Sequence, residues 1–442
     1  MPSKAAMSAK AAADAQAAAE RKSFDDAYRK KCSDHARKKV DIMFSGTKIL
    51  AESEPLVAEL PLFQKGEIGM GRILGRGGFG IVNEISSVTV RQSSQSLKAS
   101  TSANRAFPGQ QLPQLDDDDD LDFEDTQDKA FIAEHCLRTK SKDARYAIKY
   151  LSPEVKRDPN KFVQATMDMA VETKFLAAID HPNIIRMRAI AAGDMFDQDY
   201  FIVLDRLYDT LEKRIGTWAK TSKSLSGVKG KLGGKKKTEE KKQKLLEDRL
   251  VGAYDLISAI SYLHGKSIIY RDLKPENIGF DIRDDIKLFD FGLSKELRDN
   301  EKVDEDVPLY KMSGETGSMR YMAPEVHISK PYNLSADIHS FAMLLWEMMA
   351  LEKPFVQYSV KLFQDKVIKN GFRPKIDDAW SEDIKTLLKS SWDVDLRKRP
   401  SSDEVAEVLR KEIAKIRDGG DMSDLQHDRR RSTHVFVKKE KK

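Results

Sequence analysis

The feature that most constrains this chain is the stretch from Tyr270 to Gly292, which reads YRDLKPENIGFDIRDDIKLFDFG. Asp272, Lys274 and Asn277 fall close together on a segment stiffened by Pro275, and a short hairpin-like pattern then leads to Asp290 in an Asp-Phe-Gly turn. A single Asp or Asn in a loop is most often a turn former. The whole set in this order is different: a carboxylate to orient an attacking hydroxyl, a cation for a migrating negative charge, and two oxygen ligands for magnesium are what phosphoryl transfer requires.

Upstream, Gly75, Gly77 and Gly80, with Gly78 beside them, form a G-x-G-x-x-G turn between Leu74 and Val82. That spacing alone serves dinucleotide folds and ordinary surface turns as well. Here strand residues follow the turn, where a dinucleotide fold would open a helix. Lys149, in Ala147-Ile148-Lys149, sits on an alternating segment that predicts a half-buried strand, and Glu172 lies on the next predicted helix, opened by Asp158-Pro159.

Together these motifs resemble the protein kinase family over about Ile68 to Ile416. Lys274 with Pro275-Glu276 is similar to the serine/threonine-specific loop, and Ser340 to Met348 with Ser391-Trp392 resembles the tyrosine-kinase-like branch of those enzymes. The resemblance implies an α+β, two-lobed fold with a small β-rich N-lobe and a larger, mainly helical C-lobe. It implies transfer of the γ-phosphoryl group of ATP, with Mg2+, to Ser or Thr of protein substrates. In that reading Leu74, Gly75, Gly77, Gly78, Gly80, Val82 and Ala147 surround the nucleotide, Lys149 holds its phosphates and pairs with Glu172, and Asp205 to Leu207 form the hinge that binds the adenine edge. Asp272 orients the substrate hydroxyl, Lys274 neutralises the γ-phosphate, and Asn277 and Asp290 hold the metal. Ser318 bonds to the catalytic Asp and Lys, and Glu325 pairs with Arg399.

Two departures stand out. Tyr270 replaces the usual histidine, its ring expected near Phe291, and Gly279 replaces a large apolar residue, which predicts a thinner floor under the adenine. Arg271 is placed to order the activation segment by pairing with a phosphate on Ser313 or Thr316, added by an upstream kinase, or with Glu301, Asp304, Glu305 or Asp306. Two other classes of protein remain open: a scaffold that binds partners without turnover, and a kinase acting on a small molecule.

At 442 residues and 40% hydrophobic content, the chain can hold such a domain with extensions. A net charge of +5 does not point to nucleic acid, and no apolar run is long enough to span a bilayer. Cys32 and Cys136 lack metal-ligand spacing. A reduced protein of the cytoplasm or nucleus is expected.

The expected organisation is an N-terminal extension, 1–64, then a kinase domain, 65–416, then a basic tail, 417–442, in which Arg429, Arg430 and Arg431 precede Ser432. Residues Lys4 to Lys39 show no continuous apolar stripe and are read as a solvated helix or a disordered arm. Two flexible inserts are expected, an acidic one at about 91–128 around Asp116 to Asp120 and a lysine-rich one at about 219–244. They either attract each other or are independent solvated loops.

Overall fold

The computed structural model describes residues 26–90, 127–139, 141–227, 235–304, 308–422 and 425. The run Asp116 to Asp120 and the tail with Arg429, Arg430, Arg431 and Ser432 lie outside them. The chain divides into two compact units, one of residues 1–177 with 187–206 and one of 178–186 with 207–442.

The first unit is built on a sheet. β-Branched and alternating segments form β2 (Ile68–Arg76), β3 (Gly80–Val88), β4 (Tyr146–Leu151), β5 (Met187–Ala191) and β6 (Phe201–Asp205), and β1 (Leu62–Phe63) completes six strands in the order β1-β5-β6-β4-β3-β2. Only β1 and β5 run parallel. Ile81, Ile85, Ile148, Ile202 and Val203 carry its core. Phe131 to Leu137, open between helix and strand from sequence, is mostly helix, at 127–135. The long helix Pro159–Ala178 starts as expected: the Asp158 carboxylate accepts the N–H groups of Asn160 and Lys161 at 3.1 and 3.2 Å, and Pro159 occupies the first turn.

Before the sheet come α1, residues 26–44, and α2 (Lys48–Ala58). This corrects the reading of Lys4 to Lys39 over residues 26–39, the part that lies within the described residues. Cys32, Ala36, Val40 and Phe44, spaced four apart, are all buried. The stripe is narrow, two of its members are small, and it continues past Lys39, so the surrounding charge hid it. With the helix at 127–135 taken as α3, Pro159–Ala178 is α4.

The second unit is mainly helical: α5 (Leu211–Ser226), α6 (Lys235–Gly265), α7 (Ser335–Ala350), α8 (Glu382–Ser391) and α9 (Ser402–Ile416). The lysine-rich segment 219–244 is corrected as well. Where it is described it is helix: α5 runs to Ser226 and α6 begins at Lys235. Lysine is a good helix former, and Gly230, Gly233 and Gly234, which suggested a loop, fall in 228–234, outside the described residues. Short strands position the site: β7 (Asp209–Thr210), β8 (Ile268–Ile269), β9 (Ile278–Phe280), β10 (Ile286–Leu288) and β11 (Lys295–Glu296). β9 and β10 form the expected hairpin, and β8 pairs with β11. Cys32 and Cys136 are free thiols, both buried. Among the described residues no helix is long and apolar enough to cross a membrane.

Candidate active site

In the first unit, sheet register lines up three predicted residues. Val82 lies opposite Gly75 on one side and Lys149 on the other, so the Val82 and Lys149 side chains share a face. The turn is closed by the Gly77 N–H donating to the Gly80 carbonyl at 2.9 Å. Gly78 has open space around it, whereas a Cβ at Gly80 would lie 3.1 Å from the Tyr150 carbonyl, a tight contact that glycine avoids. Leu74 is half-buried on β2, and Ala147 is buried on β4.

Lys149 Nζ lies 2.6 Å from Glu172 Oε2 on α4, and the Glu172 side chain is 2% exposed. A charge-assisted bond at this burial is strong, because water competes little for either partner. Glu154, the acid that precedes this helix in the chain, is exposed. The Asp205 carboxylate is gripped by the Arg188 guanidinium through bonds of 2.7 and 2.8 Å. Leu207 opens the longer of the two stretches that make up the second unit.

In the second unit four side chains meet, three of them from the loop between β8 and β9. Lys274 Nζ and Asn277 Nδ2 approach Asp272 Oδ2 at 2.6 and 2.8 Å, and the Ser318 hydroxyl donates to Asp272 Oδ1 at 2.9 Å. Asn277 Nδ2 also donates to the Asp272 carbonyl at 3.0 Å. With its amide nitrogen engaged, Asn277 offers its oxygen to a cation, and with the Asp290 carboxylate this is a donor set suited to magnesium. Asp290 and Arg271 both adopt left-handed backbone, at φ 67° and 70°. Non-glycine residues rarely hold such conformations unless the surroundings enforce them.

The group that anchors the backbone at Arg271 was missed from sequence. Asp337, 1% exposed at the start of α7, accepts the backbone N–H groups of Tyr270 and Arg271, each at 2.8 Å, and contacts His264 Nε2 at 3.1 Å. Its signal was an acid opening the most apolar helix of the chain. Gly317 was missed too. It sits at φ +98°, and a Cβ there would fall 2.2 Å from the Arg271 carbonyl. Tyr270 behaves as a packing variant: its hydroxyl donates to the Phe289 carbonyl and its ring meets Phe291 edge-on at 5.3 Å.

The space beside Gly279 is occupied. A Cβ there would lie 2.6 Å from Leu207 Cδ1 and 3.1 Å from the Asp209 carbonyl, because β7 pairs with β9 at this point. The Leu207 side chain takes the room that a larger residue at 279 would fill.

Arg271 donates to the Leu293 carbonyl at 2.6 Å and to the Ser313 hydroxyl at 3.1 Å, and Ser313 Oγ is 3.0 Å from Thr316 Oγ1. Among the described residues no carboxylate pairs with Arg271. Glu301 instead binds Lys295, at 3.0 Å, and Arg298. Glu305 and Asp306 lie outside the described residues.

Glu347, on α7, accepts a 2.6 Å bond from the Tyr321 hydroxyl. Burial pushes its carboxyl from 4.5 up to about 7, against the opposing effect of the Tyr321 bond and of Lys353 and Arg320. Because the folded-state value is raised, the group contributes stability that is fully present below pH 4.5 and is lost as pH rises to about 7. Glu347→Gln is therefore expected to remove up to about 3 kcal/mol of pH dependence across that window, read as flatter denaturation midpoints against pH.

The sequence model of the protein kinase domain matches residues 134–410, more than half of the chain, and the chain belongs to that family. Among curated proteins it is similar to serine/threonine-protein kinase VIK of Arabidopsis thaliana, 39% identical over 164 residues, which is 36% of each chain. It is also similar to serine/threonine-protein kinase STY17 of the same plant, 34% identical over 173 residues, 39% of this chain and 29% of that one. Dual specificity protein kinase shkE of Dictyostelium discoideum is 35% identical over 166 residues, 37% of this chain and 22% of its own. The matches thus span little more than a third of these relatives at most. The family match begins beyond the glycine turn, but the pairing of β3 with β4 places that turn in the same sheet as Lys149.

Proposed function

We propose that this chain is a protein serine/threonine kinase that transfers the γ-phosphoryl group of ATP to protein hydroxyls. The observation that carries the reading is the convergence of Lys274, Asn277 and Ser318 on the Asp272 carboxylate. A carboxylate held at both oxygens is oriented before substrate arrives, so little reorganisation is needed at the moment of reaction. In the transfer the bond from the γ-phosphorus to the ADP oxygen breaks and a bond to the substrate oxygen forms, while Asp272 takes the hydroxyl proton. Lys274 supplies positive charge beside the transferring group, and Lys149, aligned by Glu172, holds the nucleotide phosphates. Asn277 and Asp290 would hold magnesium, which when bound offsets the negative charge of the phosphates.

The test is ATP turnover by the purified chain with magnesium and Ser-, Thr- and Tyr-containing substrates, beside Asp272→Asn. Turnover lost in the variant supports the reading, and nucleotide binding with no turnover in either protein favours a scaffold. Tyrosine is included because one relative is named dual-specific.

Arg271 facing the Ser313 hydroxyl supports activation by an upstream kinase or by the chain itself. A phosphate there carries more charge than a carboxylate and accepts several bonds from a guanidinium. The Ser313→Ala, Thr316→Ala double variant is expected to lose about 10-fold or more of activated turnover, measured before and after phosphorylation. Equal activity in wild type and double variant would remove the phosphate from the scheme.

A further inference from the structure

The buried stripe of α1 has a definite partner. The Phe44 ring meets the Phe175 ring of α4 at 5.6 Å, and the Lys174 ammonium lies 5.7 Å from the Phe44 ring centre. Lys174 is itself 8% exposed, with Asp41 of α1 and Glu54 of α2 as its nearby negative charges. Farther along α1, Ser33 donates to the Phe196 carbonyl at 2.8 Å, Arg37 pairs with Asp194 at 2.5 Å, and the Arg37 guanidinium stacks 4.5 Å from the Phe196 ring. These contacts seat α1 at two places: on α4 and on the loop between β5 and β6. Phe175 lies three residues from Glu172, so the two side chains stand on neighbouring parts of the same helix surface. α1 itself precedes the family match, which begins at residue 134, while the residues it packs against lie within it.

We infer that α1 braces α4, and that Phe44 is a positioning residue for phosphoryl transfer that acts through Phe175 to keep Glu172 at Lys149. The inference rests on the kinase reading above. The Lys149–Glu172 bond is short and directional, so a shift of α4 by about 1 Å is enough to break it. Removing the Phe44 ring opens a cavity on the side of α4 that faces α1, which is where such a shift would be accommodated.

The experiment uses the full chain with Phe44→Ala and Phe44→Leu. It measures kcat and the protein-substrate KM, together with amide hydrogen exchange in α4 and in α7. The expected result is a fall in kcat of about 10-fold or more in Phe44→Ala, with KM within about 2-fold and most of the loss recovered in Phe44→Leu. Exchange is expected to rise at residues 170–176 and to stay level in α7. Unchanged kcat in a folded Phe44→Ala protein, or faster exchange spread equally over α4 and α7, would overturn the brace. If Phe44→Ala does not fold, Val40→Ala, which trims the same stripe, enters the same measurements. A wild-type chain without turnover would count against the kinase reading alone, and the exchange result would still decide whether α1 holds α4.

Discussion

Asp272→Asn is expected to lower phosphoryl transfer by a factor of about 10² to 10⁴, with nucleotide binding retained. The substitution removes the proton acceptor and changes little else in volume. It also reverses one interaction: an amide nitrogen in place of Oδ2 would face the two donors, Lys274 Nζ and Asn277 Nδ2, that now converge there. The loop backbone should nonetheless keep its path, because Asp337 anchors Tyr270 and Arg271 independently of Asp272. Single-turnover transfer to a serine peptide, read beside a nucleotide-binding titration, separates the two effects. A variant that transfers phosphate at more than about a tenth of the wild-type rate would remove Asp272 from the chemistry.

Arg399→Ala is expected to destabilise the folded chain by about 3–5 kcal/mol. Arg399 reaches Glu325 through two bonds, at 2.6 and 2.9 Å, and its side chain is 0% exposed beside 9% for Glu325. It also donates to the carbonyls of Asp393 and Ser335, at 3.0 and 3.1 Å. Truncation therefore leaves a buried carboxylate without its counterion and two backbone acceptors without a donor. Glu325→Gln should cost less, since the amide oxygen can still accept a bond from the guanidinium. Combining Arg399→Leu with Glu325→Leu should recover part of the loss, because neither charge is then buried alone. Urea denaturation of the four proteins checks the order. A loss of less than about 1 kcal/mol in Arg399→Ala would mean that solvent reaches Glu325 once the arginine is gone.

Much of the site was legible because its logic is local. Asp272, Lys274 and Asn277 lie on one short loop, so their order along the chain carries nearly all of their spatial relation. The alternation around Lys149 and the strand after the glycine turn were equally direct, since strand periodicity assigns faces without knowledge of the partner strand. The placement of Ser318 and of the Glu325 and Arg399 pair came through the family resemblance; their spacing alone does not show that they meet.

The sequence by itself determined the chemistry of the catalytic loop, the α+β division into a β-rich and a helical unit, and the family. These follow from residue types at short spacing and from periodicity, which any folded context must respect. Only the tertiary structure decided the rest: that α1 is bound to α4 through Phe44, that Asp337 holds the backbone of the catalytic loop from 66 residues away, that Gly317 permits the approach of the activation segment to Arg271, and that Leu207 occupies the space beside Gly279. Each depends on a partner remote in the chain, and the energy of a buried contact belongs to the pair. No property of either residue alone announces it.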